Sequence, residues 1–162
     1  MKKILVMLVG LLMVSGVFAL DAGTPYTLTI QWIIPSDTTF TVDLAGAEST
    51  IDFNPATKTE TDVEPDSQDY GASTPIVTIT NTGNTALNFT HNVSAVPAYA
   101  VLWAYSNNTD TNVAVSEGAS VNQVGGDVGI SEVVQIYMWT NVTDATAGTT
   151  SETYQISSLL AS

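Results

Sequence analysis

The sequence predicts an all-β protein: one antiparallel β-sandwich of about eight or nine strands, preceded by an N-terminal apolar leader. Three observations predict it. Short runs of alternating apolar and polar residues recur through the chain. Clusters of Gly, Pro, Asn and Asp separate them. Beyond the leader no stretch has the 3.6-residue period of an amphipathic helix.

The leader is MKKILVMLVGLLMVSGVFA, residues 1–19. Lys2 and Lys3 form a positive start, an unbroken apolar run follows, and Val17-Phe18-Ala19 ends in a small residue suited to cleavage. This is the pattern of a secretory signal peptide, with a retained membrane anchor as the alternative reading. A chain cleaved here is extracellular or at the cell surface, and its mature part, residues 20–162, has the length of a single domain.

The first strand is expected in YTLTIQWII, residues 26–34, with Leu28, Ile30, Trp32 and Ile34 on one face. Pro35 and Asp37 end it. TFTVDL follows, with Phe40, Val42 and Leu44 inward, and then TIDF, with Ile51 and Phe53. Residues 54–73, NPATKTETDVEPDSQDYGAS, read as an acidic loop punctuated by Pro and Gly. Next comes the strongest hairpin signal: PIVTIT and ALNFTHNVSAV flank Asn81-Thr82-Gly83-Asn84. AYAVLWAY, TNVAVS, EVVQIYMWTNV and ETYQISSLL complete the series.

Composition narrows the function. The net charge is −13, and removal of Lys2 and Lys3 with the leader takes it to −15, leaving Lys58 as the one remaining Lys or Arg. Phosphate backbones and anionic lipids are held by clustered Lys and Arg, so neither nucleic acid nor, after leader cleavage, a membrane surface is an expected partner. Catalysis needs groups that attack, exchange protons or coordinate. The chain offers one His, no Cys, no Gly-X-Ser-X-Gly elbow and no phosphate loop, so the expectation is a non-enzyme. His91 shares parity with Phe89 and Val93 and reads as a hydrogen-bonded core or edge histidine.

Two kinds of site are legible. Four Asn-X-Ser/Thr acceptors make Asn88, Asn92, Asn107 and Asn141 candidate glycosylation sites. Leu87, Phe89 and Val93 alternate with Asn88, Thr90 and Asn92, so the apolar set packs inward and the two acceptors face out. Asp62, Glu64, Asp66 and Asp69, with Glu60 nearby, form a crowded acidic set that a calcium ion would suit, although the spacing is not that of an EF-hand. The competing reading is a solvated loop. No other cofactor is expected.

At TPIVTITNTGNTALNFTHNVSA, residues 74–95, the chain resembles secreted immunoglobulin-like sandwiches of microbial cell surfaces. With its leader and dense acceptors it resembles TasA/camelysin-like fibre subunits and the glycosylated thread and bundling-pilus subunits of archaea. The resemblance implies an immunoglobulin-like or jelly-roll-like sandwich and self-association into a homopolymer by donor-strand complementation. In that mode one subunit's terminal strand completes the next subunit's sheet.

Residues 26–34 suit the donor role, with Leu28, Ile30, Trp32 and Ile34 as subunit-interface residues. Four such side chains contribute roughly 6–12 kcal/mol at about 1.5–3 each, before ordering costs. Pairing of the same strand within its own domain is the alternative. The function expected is therefore a structural subunit of an extracellular filament or surface layer. The other class is a monomeric adhesion or carbohydrate-binding module in which Trp103, Tyr105, Tyr137 or Trp139 meets a ligand, although aromatics in β proteins more often fill the core.

Overall fold

The computed structural model describes residues 29, 31–109, 111–115 and 122–162. It is all-β, with two antiparallel sheets packed face to face. Residues 35–162 form one compact unit and residues 1–34 another. The leader, Leu28 and Ile30 lie outside the described residues.

Among the described residues nine strands run in chain order: β1 Phe40–Leu44, β2 Glu60–Val63, β3 Val77–Asn81, β4 Leu87–Val93, β5 Ala100–Ser106, β6 Thr111–Ala114, β7 Asn122–Val128, β8 Val133–Val142 and β9 Tyr154–Leu160. The large sheet has the order β1-β3-β8-β5-β6, with β2 also pairing β8, and the small sheet is β7-β4-β9. Among the described residues no helix is long and apolar enough to cross a membrane.

The core lies between the sheets. Val77, Ile79, Ala104, Val134, Ile136 and Met138 come from the large sheet, and Leu87, Phe89, Val93, Val124 and Val128 from the small one. β4 shows the period of two most cleanly. Leu87, Phe89, His91 and Val93 are buried, and Asn88, Thr90 and Asn92 between them are half-buried on the other face. Phe40 packs edge-on against Phe89 at 5.2 Å between ring centroids.

Several expectations are corrected. The stretch 75–94 is not a hairpin, because β3 and β4 lie in different sheets. Residues 82–86 form an arch between them, and the buried side chain of Asn81 locks it. Its Nδ2 donates to the carbonyls of Thr85 at 2.8 Å and Val128 at 2.9 Å, while Oδ1 accepts the Gly83 N–H at 3.0 Å. Gly83 is required here by close approach. A Cβ at this position would lie 2.1 Å from the carbonyl oxygen of Asp37. Thr82 and Asn84 donate their backbone N–H groups to Thr39 and Asp37 alongside it.

TIDF forms no strand; Phe53 makes only an isolated bridge with Pro65. Val42 is 41% exposed although it shares the face of Phe40 and Leu44, because β1 lies at the edge of the large sheet. Residues 31–34 have no regular structure. The acidic stretch contains β2, whose ladder with β8 is broken by a bulge between Glu60 and Val63.

β7 escapes a reading by pattern because its Gly125-Gly126-Asp127 resembles a turn. Gly125 instead lies buried in the strand, where a Cβ would approach Val134 and Val128 side-chain carbons at 2.8 and 2.9 Å. Asp127 adopts the left-handed φ of +50° beside a register shift against β4.

Candidate glycan face and groove

β5 and β8 pair along most of their length, with Val101 opposite Asn141, Trp103 opposite Trp139 and Tyr105 opposite Tyr137. Residues at spacing two share a face. Leu102, Ala104, Ile136 and Met138 point into the core, so Trp103, Tyr105, Tyr137 and Trp139 lie together on the outer face of the large sheet. Aromatics in β proteins more often fill the core, but here Trp103, Tyr105 and Trp139 are half-buried on the outer face, as the shared parity of Tyr137 and Asn141 in the sequence suggests for β8. In β5 both parities are largely apolar and the smaller set goes inside, whereas the outer face of β8 also carries Gln135 and Asn141.

A loop covers part of this face. Gln68 takes the place of a missing ladder partner beside β8: its amide donates to the Met138 carbonyl at 2.9 Å and accepts the Met138 N–H at 2.7 Å. That clamp sets Tyr70 over the aromatic row, edge-on to Tyr137 at 5.0 Å, Trp139 at 5.3 Å and Tyr105 at 6.1 Å. Tyr137 is buried beneath it, and Tyr70 is itself 48% exposed. The Trp139 indole N–H donates to Glu64 at 3.3 Å, which fixes the ring.

Beyond Tyr70 the face opens into a groove of about 300 Å³, lined by Asp62, Trp103, Asn112, Trp139 and Asn141. Asp62 stands in the β2 bulge with a φ of +56°. Its backbone N–H donates to Asn141 Oδ1 at 2.7 Å. The site is therefore two indoles on a sheet, edged by one carboxylate and two amides. Such a surface offers apolar faces with polar groups at the rim, and suits a ligand that is flat, uncharged and hydroxylated.

The four acceptor asparagines separate into two pairs. Asn88 and Asn92 lie on the central strand of the small sheet. Asn107 and Asn141 lie at opposite ends of the aromatic rows of the large one. Asn88 Oδ1 accepts the Asp127 N–H at 2.8 Å, and Asn107 Oδ1 accepts the Gln135 N–H at 2.6 Å. In Asn88, Asn107 and Asn141 alike, the amide oxygen is held by a backbone donor, and Nδ2 is the atom that a sugar would take.

The acidic residues are not brought together. Glu60 accepts the N–H groups of Ala56 and Thr57, Glu64 binds Trp139, Asp66 binds Asn54, and Asp69 accepts the Ala72 N–H. Among the described residues no three carboxylates or histidines converge as a metal site would need. Of the residues assigned to a subunit interface, Trp32 and Ile34 are each 78% exposed, and Ile33 between them is 82% exposed.

His91 is fully buried, with Nδ1 2.7 Å from the Tyr154 hydroxyl. Burial lowers its pKa to about 4 and holds the Tyr154 phenol above its ordinary value. The ring is neutral. Whichever nitrogen carries the proton, Nε2 is left without a hydrogen-bond partner among the described residues. No protein-family model, curated protein or solved structure matches this chain.

Proposed function

We propose that this protein is a structural subunit of an extracellular filament or cell-surface layer, assembling by β-strand donation between copies. The observation that carries the reading is the run Trp32-Ile33-Ile34. Three consecutive large apolar side chains stand 78–82% exposed at the end of the unit that precedes the sandwich. Exposed apolar surface of this density marks a place where something binds.

An acceptor is at hand in β9. Among the described residues it pairs only with β4, which leaves the ladder groups of its far side without a partner there, and it carries Leu159 and Leu160 at 66% and 54% exposure. A strand added there would enlarge a three-stranded sheet that faces one of six. The fibre-subunit likeness of residues 74–95, export through the leader, and glycosylation at Asn88, Asn92, Asn107 and Asn141 belong to the same proposal.

Deletion of Asp21 to Ile34 tests it. The shortened chain should stay monomeric, and a peptide of residues 26–34 should bind it and raise its melting temperature, because a ligand selective for the folded state stabilises that state by mass action. Filaments formed by the shortened chain would remove the proposal.

A second reading, a monomeric adhesion or carbohydrate-binding module, is favoured by the groove between Trp103 and Trp139. Under that reading the isolated monomer binds free oligosaccharide, and Trp103→Ala abolishes the binding.

A further inference from the structure

Asn141 differs from the other acceptors in lining the indole groove itself. We propose that Asn141 is glycosylated and that the first sugar of its glycan occupies the Trp103–Trp139 groove, so that the chain fills this site with its own carbohydrate. The inference rests on the reading of this protein as a secreted glycoprotein and adds the place where one glycan lies.

The geometry is set by the sheet. Trp139 and Asn141 are two residues apart on β8 and share its outer face, about 7 Å from one another at the rise of a strand. Trp103, the cross-strand partner of Trp139, is diagonal to Asn141. A pyranose linked to Asn141 thus lies within one ring's length of both indoles.

The amide is already oriented. Oδ1 is held by the Asp62 N–H at 2.7 Å, leaving Nδ2 to carry the sugar. Thr143, the third acceptor residue, is exposed. Transfer forms a bond from Asn141 Nδ2 to the sugar C1 and breaks the C1–O bond to the phosphate of a polyprenyl-linked oligosaccharide donor. One amide proton leaves, the phosphate departs with the bonding pair, and nothing is oxidised or reduced.

The chemistry of the walls fits that occupant. One face of a pyranose is lined with C–H bonds, whose partial positive charge is drawn to the negative face of an indole. Asp62 and Asn112 stand at the rim, where hydroxyl groups point. The volume of about 300 Å³ is at the small end for ligand sites, right for a single ring. The strands flanking Asn88 and Asn92 carry no such walls: the residues opposite them on β9 are Leu159 and Gln155.

The test uses the full chain secreted from a host that attaches an N-acetylglucosamine-based glycan. Mass spectrometry reads site occupancy, and calorimetry at low protein concentration reads the melting temperature. Thr143→Ala removes the acceptor sequence while leaving Asn141 and its bond to Asp62. Thr90→Ala does the same for Asn88, and unglycosylated bacterial protein corrects both for effects on folding.

Asn141 should be occupied, and Thr143→Ala should lower the melting temperature of the glycosylated protein by about 3 °C. Endoglycosidase trimming to one sugar should change nothing, because the first ring does the packing. Thr90→Ala should show no glycan-dependent shift. An unmodified Asn141 overturns the inference, as does a melting temperature indifferent to its glycan. Free chito-oligosaccharide binding equally well with and without the Asn141 sugar also overturns it and gives the groove to an external ligand. Filaments are scored on the same samples, so failure of strand donation is separable from failure of this inference.

Discussion

Trp103 and Trp139 are direct cross-strand partners on the outer face of the large sheet, and they wall the same groove. Their position means that removing either changes the surface more than the core. Trp103→Ala should lower stability by about 1 kcal/mol, well short of the 3–5 kcal/mol typical of a fully buried aromatic. Phe89→Ala, at a side chain with no exposure, should cost that full 3–5 kcal/mol. Urea denaturation of the two variants checks the contrast.

Asn81 closes the arch between the sheets with three hydrogen bonds from one buried amide. Asn81→Ala strands two carbonyls and an N–H, at about 1–3 kcal/mol for a buried group left unpaired. A loss of at least roughly 3 kcal/mol is expected from the set. Asn81→Asp keeps the acceptor for Gly83 but replaces the donor, and should recover little of it. Equilibrium denaturation of the three proteins decides.

His91 gives the protein a dependence on pH. Its folded pKa of about 4 is below the ordinary 6.5, so between these values the unfolded chain binds the extra proton. Stability is complete above about pH 6.5 and is lost as pH falls towards 4, by roughly 3 kcal/mol in all. The many carboxylates titrate in the same range, so the readout is a difference. His91→Phe should remove this component, and denaturation curves of both proteins from pH 7 to 4 should diverge in slope.

The parity of β4 was legible in the sequence because its inward side chains are large and apolar apart from His91, and its outward ones polar. β8 was legible as a strand and in its parity, Ile136, Met138 and Val142 against Tyr137 and Asn141. β5 was legible as a strand but not as to face, since Val101, Trp103 and Tyr105 compete with Leu102 and Ala104 for the interior. The sheet resolves this by volume: the facing strands leave room for the smaller set. In the sequence the arch at residues 82–86 resembles a hairpin because Asn-Thr-Gly-Asn suits a tight turn. What distinguishes the two is a long-range bond from Asn81 to the Val128 carbonyl, which local pattern does not carry. β7 was hidden by the pair Gly125-Gly126, of which Gly125 serves packing across the core. The groove was legible only as its parts, because Asp62 reaches it through the β2–β8 pairing, distant in sequence, while Asn112 comes from the neighbouring strand β6.

The carboxylates of Glu60, Glu64, Asp66 and Asp69 are engaged one by one with different donors. A chelator should therefore leave the melting temperature unchanged, and added calcium should raise it no more than magnesium does. A rise specific to calcium would restore Asp62, Glu64, Asp66 and Asp69 as a site.

Strand donation is tested most directly by electron microscopy of the mature chain beside its Trp32→Asp/Ile34→Asp variant, at equal concentration. A charge in place of each apolar side chain removes the burial that would hold a donated strand. Filaments from the mature chain and dispersed monomers from the variant are the predicted result. Filaments from both, or monomers from both, would contradict assembly through residues 26–34.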